Sequence, residues 1–135
     1  MSQENVEIVR RFNDAVNQGD REAAAAVIHR EVDWHTLAGP ILGVESVSGR
    51  EDVIRFVFDQ IPDGVEGFRV TVGEMHSLPD GQVLVSVHYT GRGVASGADV
   101  EMDATQLYGF DDDTIVFFRD FRTLATALEA AGLSE

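Results

Sequence analysis

The chain has 135 residues, the usual size of one domain and enough to bury roughly two-thirds of its unfolded surface, so we expect a single domain over residues 1–135. Its 10 Lys+Arg oppose 24 Asp+Glu, and the formal net charge of −14 excludes nucleic acid and anionic membrane surfaces as partners. The absence of Cys excludes thiol chemistry, and with no leader-like start and no run of ~18 apolar residues we expect a soluble, cytoplasmic protein.

Two helices that form a hairpin are predicted first. Apolar residues recur at spacings of three and four over Ser2–Gln18, which predicts an amphipathic helix that Ser2 would cap. Gly19 ends this helix. Asp20 can cap a second helix, rich in alanine, that we expect to reach Ile28.

A strand, a loop and a third helix follow. Alternation of β-formers predicts a short strand over Val32–Thr36. The next segment, Leu37–Val47, is rich in Gly and Pro and is expected to be a loop that borders a site. Ser48 and Glu51 have the spacing of a capping box, and helical periodicity then continues to Pro62.

Four more strands complete the predicted sheet. They are rich in β-branched and aromatic residues and cover Phe68–Met75, Gln82–Tyr89, Asp99–Phe110 and Thr114–Arg122. Short connections between them predict an antiparallel meander. Thr123 would cap a final helix that ends at Gly132. The order ααβαββββα indicates an α+β fold in which helices cover one face of a strongly curved antiparallel sheet.

The last strand carries both bulky aromatic and charged residues. Strict alternation places Ile115, Phe117, Arg119 and Phe121 on one face. The other face then holds Val116, Phe118, Asp120 and Arg122. Because each face mixes apolar and charged groups, we expect one to line a cavity and the other to meet a second layer or subunit.

Several segments together resemble the SnoaL-like branch of the nuclear transport factor 2-like superfamily, which includes ketosteroid isomerases and polyketide cyclases. The segments are RRFNDAVNQGD at Arg10–Asp20, SGREDVIRF at Ser48–Phe56, VLVSVHYTGRG at Val83–Gly93 and IVFFRDF…ALEAAGL at Ile115–Leu133. The resemblance covers essentially the whole chain. It implies a cone-shaped, cystatin-like fold with the sheet wrapped around an internal pocket, and dimers formed through the outer face of the sheet.

The ketosteroid isomerase pattern is not retained at its functional positions. Phe12 stands where such an isomerase has its oxyanion-hole Tyr, Thr36 where it has its Asp base, and Gln106 where it has its protonated Asp. Isomerisation needs a carboxylate to move a proton between carbons and acidic donors to hold the dienolate. Steroid isomerisation is therefore not expected.

The cyclase branch places its acid/base Asp on the last strand, five residues after the first Ile. In this chain the count from Ile115 leads to Asp120, on the same predicted face as Phe118 and Arg122. An apolar cavity raises the pKa of a carboxyl group, whereas a neighbouring Arg favours its charged form. The alternative is that Asp120 and Arg122 only form an ion pair at the pocket rim.

The other candidate residues are assigned by shared strand faces and by the resemblance. Trp34 would stand in the pocket wall, where its indole N–H needs a partner or a ligand, or would simply fill the core. Gln106 and Tyr108 would add hydrogen-bonding groups to apolar walls. The predicted substrate-binding set is Phe12, Trp34, Thr36, Phe56, Gln106, Tyr108, Phe118 and Arg122, and the predicted catalytic residue is Asp120.

These features leave two classes of function open. One is a small-molecule-binding enzyme, an isomerase, cyclase or hydrolase that acts on an apolar carbonyl or hydroxyl compound by acid/base chemistry. The other is a non-catalytic binding or interaction module of the same fold. No cofactor and no metal are expected, because the four His lack ligand spacing and the Gly91–Gly97 segment fails the dinucleotide pattern. A homodimer is expected through an outer sheet face with Ser86, His88, Thr90 and Thr105 beside Leu84 and Leu107.

Overall fold

A computed structural model describes residues 2–36 and 46–132. Within these residues the helices are α1 (Ser2–Gln18), α2 (Arg21–Ala26), α3 (Arg50–Arg55), a π-helical segment (Phe56–Gln60), α4 (Ile61–Gly64) and α5 (Leu124–Ala130). The strands are β1 (Ile28–His35), β2 (Ser46–Ser48), β3 (Val65–Ser77), β4 (Val83–Gly93), β5 (Asp99–Asp111) and β6 (Thr114–Phe121). The predicted α+β plan is confirmed, with the short strand β2 in addition.

The strands form one curved sheet in the order β2-β1-β6-β5-β4-β3. The neighbours from β3 to β6 pair antiparallel, which confirms the predicted meander. Strand β1 pairs parallel with β6, so the first and last long strands lie side by side. This register places Trp34 beside Phe118, and the β5–β6 register places Gln106 opposite Asp120.

The main core lies between the helices and the concave face of the sheet. Helix α1 buries the apolar stripe that its sequence predicts, with Val9 and Phe12 almost fully covered. From the other side, β4 and β5 contribute inward residues such as Val85, Val87 and Tyr108. Helices α1 to α4 therefore cover the same side of the sheet on which Asp120 is buried.

A second, smaller cluster lies on the outer face of the sheet. There α5 packs Ala127 against Leu84 and Leu107, and Phe117 and Phe121 contact the same cluster. Thr123 caps α5 as predicted, because its side chain accepts a hydrogen bond from Thr126 N. Leu84 and Leu107 were predicted to belong to a homodimer interface on this face, but both are buried under the last helix of the same chain.

Three predicted boundaries of helices are wrong. Ile28 does not extend α2 but begins β1, where this β-branched residue pairs with Ile115. Ser48 is in β2, and the N-cap of α3 is Gly49, without a side-chain cap, so the capping box does not form. The helical segment also continues past Pro62, because Pro62 lies in the first turn of α4, where a missing N–H breaks no helical bond.

An irregularity in β6 changes its predicted faces. Gly109 pairs with Phe117 but Phe110 pairs with Ile115, so one extra residue is inserted in β6. Ile115 therefore packs in the main core with Phe118, and not on the side of Phe117 as predicted.

Some predictions cannot be compared with the structure. Most of the predicted loop, residues 37–45, lies outside the described residues, as do the side chain of Ser2 and the residue Leu133. Among the residues that are described, no helix is long and apolar enough to cross a membrane.

Candidate functional site

A cavity of about 90 Å³ lies between α1, the π-helical segment and the concave face of the sheet. Seven of the nine predicted site residues line it: Phe12, Trp34, Thr36, Phe56, Gln106, Phe118 and Asp120. Tyr108 is fully buried behind this lining and reaches it through hydrogen bonds. Arg122 lies beyond the end of β6, is exposed and is not part of the cavity.

The aromatic wall follows from the pairing of β1 with β6. Trp34 and Phe118 are stacked, with ring centroids 4.0 Å apart and planes 12° apart. Phe12 approaches Trp34 edge to face at 5.3 Å, and Tyr108 approaches Phe118 in the same way at 5.2 Å. Contacts of this kind fix ring orientations, so the wall is a preformed apolar surface.

The carboxylate of Asp120 lies at the wall of the cavity. Only 8% of the residue is exposed. Its Oδ1 accepts a hydrogen bond of 2.6 Å from the Tyr89 hydroxyl, and its Oδ2 accepts one of 3.3 Å from the Thr36 hydroxyl. Arg122 forms no ion pair with it, both residues being within the described part of the chain, so the rim pair considered from the sequence is absent.

A chain of buried hydrogen bonds leads from α1 to this carboxylate. Asn13 Nδ2 donates to the Tyr108 hydroxyl at 3.2 Å, and Tyr108 donates to Gln106 Oε1 at 2.6 Å. Gln106 Nε2 then donates to the Tyr89 hydroxyl at 2.9 Å, and Tyr89 donates to Asp120. Every donor points toward Asp120. Because both of its oxygens accept, the arrangement fits the ionised carboxylate.

The two phenols in this chain are held in their protonated form. Burial raises the pKa of Tyr89 well above its usual value, and the charge of Asp120 raises it further. Burial also raises the pKa of Tyr108, against a lowering effect from the hydrogen bond of Asn13. Both hydroxyls therefore remain donors at physiological pH.

Two polar atoms at the cavity are not used by this chain. Asn13 Oδ1 is buried and has no hydrogen-bond partner among the described residues. The indole N–H of Trp34 likewise makes no hydrogen bond within the described ranges, although the residue lines the cavity. The described residues thus leave one acceptor and one donor without a hydrogen bond.

Cationic side chains lie elsewhere. His88 lies on the outer face, where its hydrogen bonds to the carboxylates of Asp103 and Glu101 raise its pKa above the usual value. His35 contacts Asp33, and Arg119 stacks over Phe117 on the side away from the cavity. Within residues 2–36 and 46–132 no group of three or more His, Asp or Glu could hold a metal ion.

Sequence reasoning missed two polar residues of the site. Tyr89 alternates with Val87 and Val85 on the inward face of β4, so the alternation could have assigned it to the cavity. Asn13 lies four residues after Val9 and three before Val16, so helical periodicity also places it on the buried face of α1, and only its polarity argued against burial.

Comparison with known proteins identifies the family. Residues 9–118 match the model of the SnoaL-like domain, and the chain belongs to this family. No curated protein matches at a significant level.

Solved structures show the same fold at low sequence identity. An NTF2-like protein of unknown function from Burkholderia pseudomallei is 20% identical, with 93% of this chain and 95% of that chain covered and a TM-score of 0.78. A putative SnoaL-like polyketide cyclase from Jannaschia is 22% identical, with coverage of 95% and 91% and a TM-score of 0.73. A protein of ketosteroid isomerase-like fold from Catenulispora acidiphila, solved with trimethylamine, is 17% identical, with coverage of 94% and 93% and a TM-score of 0.73.

Proposed function

We propose that this SnoaL-like protein binds a small, mostly apolar carbonyl or hydroxyl compound and acts on it by acid/base chemistry, with Asp120 as the general base and without a cofactor. The observation that supports this most directly is a carboxylate buried in an aromatic cavity and hydrogen-bonded to neutral donors. Asp120 is also the residue that the resemblance to the cyclases assigns to proton transfer. A positioned carboxylate typically contributes about 10²–10⁴-fold to a rate.

Each part of the site has a role in this proposal. Phe12, Trp34 and Phe118 hold the apolar body of the substrate and keep water out. The indole N–H of Trp34 donates to a carbonyl or hydroxyl oxygen, while Asp120 takes a proton from the adjacent atom and returns it to the product. Tyr89 fixes the orientation of the carboxylate and stabilises its charge.

The reaction is an isomerisation, a cyclisation or a hydrolysis. Phe12, Thr36 and Gln106 line the cavity where a ketosteroid isomerase has its three acidic groups, which argues against steroid isomerisation. One structural neighbour was solved in complex with trimethylamine and another was co-crystallised with polyporic acid, which supports small-molecule binding by proteins of this fold.

A non-catalytic binding module is the second candidate. A cavity of about 90 Å³ with stacked aromatic walls is small for an enzyme that must reorganise a large substrate. In that case Asp120 would orient a ligand without transferring a proton. Location in the cytoplasm and assembly as a homodimer are part of the proposal for both candidates.

Asp120→Asn tests the catalytic role. The variant keeps size and polarity, so we expect normal folding and ligand affinity but a loss of turnover of about 10²–10⁴-fold on any substrate found by screening carbonyl and hydroxyl compounds. Asp14→Asn, an exposed position on α1, is the matched control and should retain full turnover. Full turnover in folded Asp120→Asn would remove the catalytic assignment and favour the binding module.

A further inference from the structure

We propose that the cavity selects a ligand that carries a small ammonium group, held between the Asp120 carboxylate and the aromatic wall. The inference rests on the proposed function only in taking this cavity as a small-molecule site. It does not require that Asp120 transfer a proton. Two independent features of the cavity, its charge and its rings, support a protonated amine as the occupant.

The charge of the cavity is negative and comes from the carboxylate. The sequence contains no Lys, and all of its Arg and His residues lie within the described ranges, yet none of them lines the cavity. The hydrogen bonds that Asp120 accepts include two from the neutral hydroxyls of Tyr89 and Thr36. A buried charge is most strongly stabilised by an opposite charge close to it, which a cationic ligand would supply.

The rings of the wall favour the same ligand. The cavity that Asp120 lines is also lined by the rings of Phe12, Trp34 and Phe118. An aromatic face attracts a cation within about 6 Å of its centroid, and Trp does so most strongly. A ring wall beside a carboxylate is the arrangement that recognises methylated ammonium groups, because the rings contact the methyls and the carboxylate provides the countercharge.

Long-range electrostatics add to this selectivity. With a net charge of −14 the protein attracts cations and repels anions before any contact is made. This general attraction does not distinguish the cavity from the surface, so the experiment must compare carboxylates at both places.

The test compares choline with 3,3-dimethylbutan-1-ol, which has the same shape but carries a neutral carbon in place of the nitrogen. Isothermal titration calorimetry at pH 7 and physiological ionic strength should give choline at least about tenfold tighter binding than the alcohol. Equal or tighter binding of the alcohol would overturn the inference while leaving the cavity as a site for apolar molecules. Binding of neither compound to the folded protein would overturn both the inference and the proposed binding site.

Two variants locate the effect. Asp120→Asn should remove the preference for choline and leave the affinity for the alcohol unchanged within about twofold. Asp14→Asn changes the net charge equally but lies on the surface, and it should keep the preference. If both variants lowered choline binding to the same extent, general electrostatic attraction would explain it, and the ammonium site would be refuted.

Discussion

Removing the hydroxyl of Tyr89 is the sharpest test of the buried chain. In Tyr89→Phe the ring remains in place, so the change is confined to two hydrogen bonds, one to Asp120 at 2.6 Å and one from Gln106 at 2.9 Å. The first has a charged acceptor and contributes about 1.5–3 kcal/mol, and the second is neutral and contributes about 0.5–1.5 kcal/mol. We therefore expect the free energy of unfolding to fall by about 2–4.5 kcal/mol.

Tyr108→Phe is the matched control. Its hydroxyl is also buried and also takes part in two hydrogen bonds, but both partners, Gln106 and Asn13, are neutral. The expected loss is about 1–3 kcal/mol, so Tyr89→Phe should cost about 1 kcal/mol more than Tyr108→Phe.

Urea denaturation at pH 7 measures this difference. Both variants should unfold with the slope of the unchanged protein, so that shifts in midpoint report stability. If Tyr89→Phe cost no more than Tyr108→Phe, the reasoning that Tyr89 donates to a charged Asp120 would be refuted. A changed slope would show altered compactness instead, and would refute the assumption that the substitution acts on hydrogen bonds alone.

Three further predictions follow from other features. NMR titration should give His88 a pKa above 6.5, and this pKa should fall in the Asp103→Asn variant. Because the pKa is higher in the folded than in the unfolded state, His88 stabilises the fold below about pH 6.5. This contribution is lost as the pH rises through the folded-state pKa. Light scattering should return a homodimer, twice the chain mass of 14.8 kDa, and a monomer at micromolar concentration would contradict it. In a thermal-shift screen, apolar compounds with a carbonyl, hydroxyl or amine should raise the melting temperature of the protein. Sugar phosphates should not raise it, because no Arg or His lines the cavity. Stabilisation by phosphorylated ligands alone would show that the cavity is wrongly assigned as the binding site.

The sheet was largely predictable because its strands are long and joined by short turns. Where side chains alternate over ten or more residues, as in Asp99–Asp111, the segment can be assigned as a strand, and the short turns then determine which strand it pairs with. Strand β2 has three residues and carries no periodic signal, and the inserted residue in β6 depends on its pairing with Gly109, which alternation cannot show.

The site was predictable in its apolar wall and less so in its polar chain. Phe12, Trp34 and Phe118 follow from helix and strand faces that are buried in any case. In the β4–β5 register, Tyr89 lies opposite Met102, and it is Val85, four residues earlier in β4, that lies opposite Gln106. The Tyr89 side chain nevertheless forms hydrogen bonds with both Gln106 and Asp120. Only the curvature of the sheet brings these side chains together, and curvature cannot be read from one sequence.

The parallel pairing of β1 with β6 has a consequence for how the chain folds. Strand β6 is the last strand to be synthesised, but it is the one that joins β1 and β2 to the meander of β3, β4 and β5. Until Thr114–Phe121 has been made, the first strands have no neighbour to complete the sheet, and Trp34 has no Phe118 to stack on. Contacts so distant in sequence slow folding, so a nascent chain stalled before β6 would hold unpaired strand edges and depend on protection from aggregation.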